Sequence, residues 1–111
     1  MKQGWIGVDL DGTLAKYDGW KGVTHIGEPV PLMVNRVKDW ISCGTEVKIF
    51  TARVSGEDAI AARHAIEKWC ERHIGVVLRV TNEKDYAMIA LYDDRAVQVE
   101  ENTGILVGQR H

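Results

Sequence analysis

Trp5-Ile6-Gly7-Val8-Asp9-Leu10-Asp11-Gly12-Thr13-Leu14 is the stretch on which the fold turns. Its first half is a short apolar run ending in acid, the pattern of a buried strand that stops where it meets solvent. Its second half carries two carboxylates two residues apart and then Gly12, whose missing Cβ permits the backbone angles of a tight turn. Once the strand has begun to turn, Asp9 and Asp11 can face one pocket.

Working outward, strand-like and helix-like segments alternate. Tyr17 to Pro29 is rich in glycine and aromatic residues and reads as an irregular loop or hairpin. Pro31 opens a helix, since proline suits a first turn. Val34, Val37 and Ile41 recur at helical spacing, Met33 and Trp40 widen the stripe, and Gly44 is a natural stop. Glu46 to Phe50 is a second strand. Ser55 with Asp58 resembles a capping box, and the helix after it runs to about His73 with Ala59, Ala62, Ile66, Trp69 and Cys70 as its buried stripe. Val76 to Val80 is a third strand, Asn82 can cap a short helix carrying Lys84, Met88 to Tyr92 is a fourth strand, and Val97 to Val99 a fifth candidate. Such alternation predicts an α/β fold, a parallel sheet with helices on both faces.

Ligands of such sheets bind beyond the carboxyl ends of the strands. The polar residues just past those ends should therefore form one site. Asp9 and Asp11 follow the first strand, Thr51 the second, and Asp93 and Asp94 the fourth, while Lys84 begins the helix leading into the fourth. Two or three carboxylates suit a hard cation such as Mg²⁺, which prefers oxygen ligands and keeps several waters. A metal and a lysine would lower the repulsion between an anionic phosphate and an attacking carboxylate.

These motifs resemble the haloacid dehalogenase-like (HAD) phosphohydrolase superfamily. Asp9-Leu10-Asp11-Gly12-Thr13-Leu14 is similar to its first motif, Thr51 after Val47-Lys48-Ile49-Phe50 to its second, Lys84 to its third, and Asp93-Asp94 after Ile89-Ala90-Leu91-Tyr92 to its fourth. The resemblance runs from Trp5 to about Asp94; residues after Arg95 carry no matching motif. It implies a Rossmann-like three-layer sandwich with a mainly parallel sheet and a phosphomonoester hydrolase acting through a phospho-aspartate. By that resemblance Asp9 is nucleophile and metal ligand. Asp11 is general acid and base and lends its backbone carbonyl to the metal. Thr51 hydrogen-bonds the phosphoryl group, Lys84 holds Asp9 and phosphate by charge, and Asp93, with Asp94 sharing or taking the role, supplies the metal carboxylate. An acid at position 11 favours phosphatase over dehalogenase chemistry.

The chain has 111 residues and is read as a single core domain over 1–111. Relatives often insert a cap after the first motif or between the second and third. Here Ala15 to Pro31 has room only for a flap, and Thr51 to Lys84 is filled by one helix and one strand, so no cap domain is expected. An open site would have Trp20, Lys21 and Arg53 at its rim and suits a polymer end, with Trp20 stacking on a base; Trp20 alternatively belongs to a loop packed on the domain, and Arg53 reaches a substrate phosphate or forms a surface ion pair. A small phosphometabolite or nucleotide is the alternative, with a homo-oligomer partner as the cap. Net charge is −2 and the pI about 6.1, so no global basic field points to nucleic acid. Met1-Lys2-Gln3 leads into no secretory leader, and no apolar stretch is long enough for a membrane. Cys43 and Cys70 lack C-x-x-C spacing and read as reduced thiols of a cytoplasmic protein. His25, His64, His73 and His111 show no metal-ligand spacing, and Trp5, Trp40 and Trp69 read as core. A receiver domain would place its acidic pair after the first strand, a lone phosphorylated Asp after the third and its lysine near the end, whereas here the D-x-D comes first and Lys84 precedes the final acidic pair. A catalytically silent HAD-like binding protein would be expected to lose a motif position, and none is lost. A dinucleotide-binding domain lacks its G-x-G-x-x-G after the first strand.

Overall fold

The computed structural model describes residues 4–108. Four strands form one all-parallel sheet: β1 (Trp5–Asp9), β2 (Glu46–Phe50), β3 (Arg79–Thr81) and β4 (Met88–Tyr92), in spatial order β3-β2-β1-β4. Among the described residues two α-helices, α1 (Pro31–Ser42) and α2 (Ala59–His73), complete an α/β Rossmann-like fold. The steps from β1 to β2 and from β2 to β3 run in the same direction, so right-handed crossovers put α1 and α2 on the same face. That face is the core. Ile6, Val8, Val47, Ile49 and Val80 pack there with Met33, Val34 and Val37 of α1 and Ala62, Ile66, Trp69 and Cys70 of α2. Full burial of a side chain such as Ile49 stabilises by about 1.5–3 kcal/mol.

α1 begins at Pro31, where a missing N–H costs nothing. It ends as its sequence dictates: Gly44, at φ +82°, lets the chain reverse while its N–H bonds the Ile41 carbonyl. The buried stripe of α2 is the one its spacing predicts, but its start is not. Ser55 does not cap it. Its hydroxyl donates instead to the Ala52 carbonyl, closing a short 3-10 turn over Ala52–Val54, and α2 starts at Ala59 without a side-chain cap.

The strand expected at Val76–Val80 forms later and shorter, at Arg79–Thr81, because only those three residues pair with β2. No helix follows Asn82. Six residues must carry the chain from the end of β3 to the start of β4, across two strands and back along the sheet. A helix rises 1.5 Å per residue against about 3.3 Å for extended chain, so a helix would fall short. The second sheet face, where helices were also expected, carries this connection and no helix among the described residues, so the three-layer sandwich is reduced to two layers. There the Trp5 indole, 2% exposed, donates to Asp85 Oδ1 at 2.9 Å and lies under the Lys48 ammonium. The fifth strand candidate makes one isolated pair, Val99 with Leu106, outside the sheet. Among the described residues, no helix is long and apolar enough to cross a membrane. Met1-Lys2-Gln3 and His111 lie outside the described residues.

Candidate active site

β1 delivers Asp9 to the carboxyl edge of the sheet, and the chain then turns sharply. The Leu14 and Ala15 N–H groups bond the Leu10 carbonyl, and Gly12 N–H bonds the Ala15 carbonyl. Gly12 sits at φ +90°, and a Cβ there would lie 2.6 Å from Asp94 Oδ2. Only glycine lets the turn pass so close to that carboxylate. The turn also buries Thr13. Its hydroxyl lies 3.1 Å from Asp94 Oδ1 and 3.4 Å from Asp9 Oδ2, serving one with its proton at a time, and accepts the Asp94 N–H at 2.9 Å. Thr13 thus ties the ends of β1 and β4 together. It was visible in the sequence as part of a turn, but its pairing with a residue 81 positions away was not.

Asp9, Asp93 and Asp94 each offer a carboxylate oxygen within 4.8 Å of the others. Three such groups repel one another, and the Asp9 carboxyl responds. It is pushed up to about 7, first by burial, then by its hydrogen bond with Asp94, then by the charge of Asp93. Hard oxygen donors, close spacing and unrelieved negative charge together fit a divalent cation such as Mg²⁺. The Asp93 carboxylate is oriented by the Arg95 N–H at 2.7 Å.

Asp11 stands apart from this triad. Arg53 reaches it with both arms, Nε to Oδ2 and Nη2 to Oδ1, each at 2.8 Å. The Arg53 side chain is 5% exposed. Its remaining nitrogen, Nη1, donates to the Val23 carbonyl at 2.9 Å and the Gly22 carbonyl at 3.3 Å, and its guanidinium lies over the Trp20 ring at 4.9 Å. Arg53 therefore binds the loop after the first turn to the acid. That loop is a hairpin only at its stem, where Ala15 pairs with Pro29 and the Lys16 N–H bonds the Glu28 carbonyl. The Trp69 indole, on α2, donates to the Gly27 carbonyl and fixes the far side of the stem.

Asp9, Asp11, Thr51, Arg53 and Asp93 line one cleft of about 630 Å³, and Asp94 is not among its lining residues. Thr51 is 3% exposed; its hydroxyl accepts the Arg53 N–H at 3.2 Å and caps the 3-10 turn. Trp20 lines the cleft. Two expected residues do not. Lys21 pairs with Asp18 at 3.1 Å on the exposed loop. Lys84 lies on the β3–β4 connection, in a separate depression with Asp85 and Tyr86, because that connection is too short to be the helix that was to carry it. Tyr17 and Arg95 join the cleft unforeseen. Arg95 directly follows the acidic pair, so its place past a strand end was a usable signal. Burial pushes the Cys70 thiol up to about 11, which leaves it inert, and Cys43 and Cys70 are both free.

No family model matches the chain, and no curated protein matches it. Among solved structures it is similar to a conserved protein coded by a locus of Bacteroides thetaiotaomicron. The TM-score is 0.60 at 23% identity, covering 86% of this chain and 78% of that one. At that identity the match shows the shared fold alone.

Proposed function

We propose that the chain is a cap-less HAD-like phosphatase, a Mg²⁺-dependent phosphomonoester hydrolase in which Asp9 is the nucleophile. The observation that carries this reading is the placement of Asp9 in one carboxylate triad with Asp93 and Asp94, beside a second acid held separately by an arginine. When bound at that triad, Mg²⁺ supplies the positive charge that offsets repulsion between carboxylate and phosphate. An Asp9 oxygen attacks phosphorus, and the bond to the leaving oxygen breaks. Asp11 gives that oxygen its proton. Asp11 then takes a proton from water, whose oxygen attacks the same phosphorus and returns Asp9 as a carboxylate. Both Asp11 oxygens are engaged by Arg53, so each proton transfer requires one of those contacts to loosen. Thr51 and Arg95 line the cleft and would meet the phosphoryl oxygens. Substrate enters an open cleft, and the chain's free thiols, Cys43 and Cys70, suit a reducing, cytoplasmic setting.

Turnover of an aryl phosphate tests the proposal. The parent protein should hydrolyse it with Mg²⁺ and stop on chelation, and Asp9→Asn should abolish turnover while keeping the fold by circular dichroism. Undiminished turnover by that variant would remove Asp9 from the role. The position of Lys84 outside the cleft favours a second reading, a silent binding protein of the same fold. Absence of turnover in the parent across aryl and alkyl phosphates would select it.

A further inference from the structure

We infer that the cleft carries a subsite for a planar heteroaromatic ring, formed by the outward face of Trp20, and that the substrate is a nucleoside monophosphate. The inference rests on the phosphatase reading for what happens at Asp9, but the subsite stands on geometry of its own. Trp20 is 57% exposed and Tyr17 51%, and both line the cleft that holds Asp9. Exposed aromatics on a glycine-rich loop are usually free to move. Trp20 has an anchor, because the buried Arg53 guanidinium lies over one face of its ring. The same guanidinium grips the carbonyls of Gly22 and Val23, just beyond Trp20, and clamps Asp11. One side chain thus fixes both an aromatic platform and the acid that serves the leaving group. A platform held in place before binding loses little entropy when a ring stacks on it. Its free face is apolar and broad, and stacking accepts any base because every base has a π-face.

Size and charge narrow the ligand further. A cleft of about 630 Å³ exceeds what a bare phosphate or a small aryl ester needs and lies within the small-molecule range. A sugar between phosphate and ring would let the phosphate reach the carboxylate floor while the ring meets the rim. A polymer would need cations along its backbone. Among the lining residues Arg53 and Arg95 are the cations, and Arg53 is spent on Asp11. A single remaining arginine suits a mononucleotide.

The test compares a nucleoside 5′-monophosphate with ribose 5-phosphate, which lacks only the base. The parent protein with Mg²⁺ should favour the nucleotide in kcat/KM by about tenfold, the scale of one stacked base. Trp20→Ala should remove most of that preference and Trp20→Phe should keep it. An equal preference in parent and Trp20→Ala would overturn the subsite. So would a parent that hydrolyses both substrates alike. Preference for a phosphorylated oligonucleotide end over the mononucleotide would overturn the mononucleotide assignment. A second arm is independent of turnover: calorimetric binding of the nucleotide to Asp9→Asn and to Asp9→Asn/Trp20→Ala. The double variant should bind about tenfold more weakly. If no phosphate ester were hydrolysed, the phosphatase reading would fall alone, and equal binding by the two variants would then refute the subsite.

Discussion

At the scale of single residues, Arg53 organises the candidate site more than its sequence context suggests. A guanidinium can grip two carboxylate oxygens at once and still spare a nitrogen for the loop; an ammonium cannot. Arg53→Lys keeps the charge and the burial of the stem but loses the fork on Asp11. It should lower kcat by about 10–100-fold, since small misplacements of a reacting group carry such costs, with a smaller change in KM for a substrate lacking a ring. Parent-like kcat in that variant would show that the orientation of Asp11 does not depend on the fork. The residues whose place was legible beforehand are those that follow the end of a strand. Asp9, Asp11, Thr51 and Asp93 lie just past apolar runs, and a parallel sheet brings such positions together. Arg53 was legible only as a rim residue two positions past Thr51, because its partner Asp11 is 42 residues away and on another loop.

At the scale of elements, the pattern is that long, periodic segments declared themselves and short ones did not. The stripes of α1 and α2 and the runs of β1, β2 and β4 each repeat their signal several times. The β3–β4 connection was misread because Asn82 and the residues after it look locally like a helix start. Its conformation is set instead by the distance it must span, which depends on the strand order β3-β2-β1-β4. That is a property of the whole sheet, and Lys84 left the site with it. The loop that bears Trp20 depends likewise on another element, through the Trp69 indole and the Gly27 carbonyl, 2.9 Å apart. Trp69→Phe keeps most of the buried ring but leaves that carbonyl without its donor, at a cost of about 1–3 kcal/mol. Its melting temperature should drop by several degrees, and KM for a ring-bearing substrate should rise as the stem loosens. An unchanged melting temperature would show that the stem is held by its backbone pairs alone.

For the whole molecule, the sheet gathers three carboxylates at one edge, and that concentration has a thermodynamic signature. Burial and the neighbouring Asp94 and Asp93 carboxylates push the Asp9 carboxyl up to about 7 in the fold, against about 3.9 for an ordinary aspartate. Between those values the folded state binds more protons than the unfolded one, so stability present at low pH is lost as pH rises through about 7. In chelator, the melting temperature should fall from pH 5 to pH 8. Asp9→Asn should flatten that fall, and Mg²⁺ should reverse it at pH 8 by binding the folded state. A parent protein whose melting temperature at pH 8 ignored Mg²⁺ would argue against the triad as a metal site. The sheet edge is also where the central claim is decided, because a phospho-aspartate is a covalent state that can be caught. The most direct measurement is acid quench of the Mg²⁺-loaded protein during turnover, followed by peptide mass spectrometry. The account predicts one phosphoryl group on the peptide containing Asp9, absent from Asp9→Asn and absent in chelator. Steady turnover with no phosphorylated peptide at any quench time, or with the phosphoryl group on a residue other than Asp9, would contradict it.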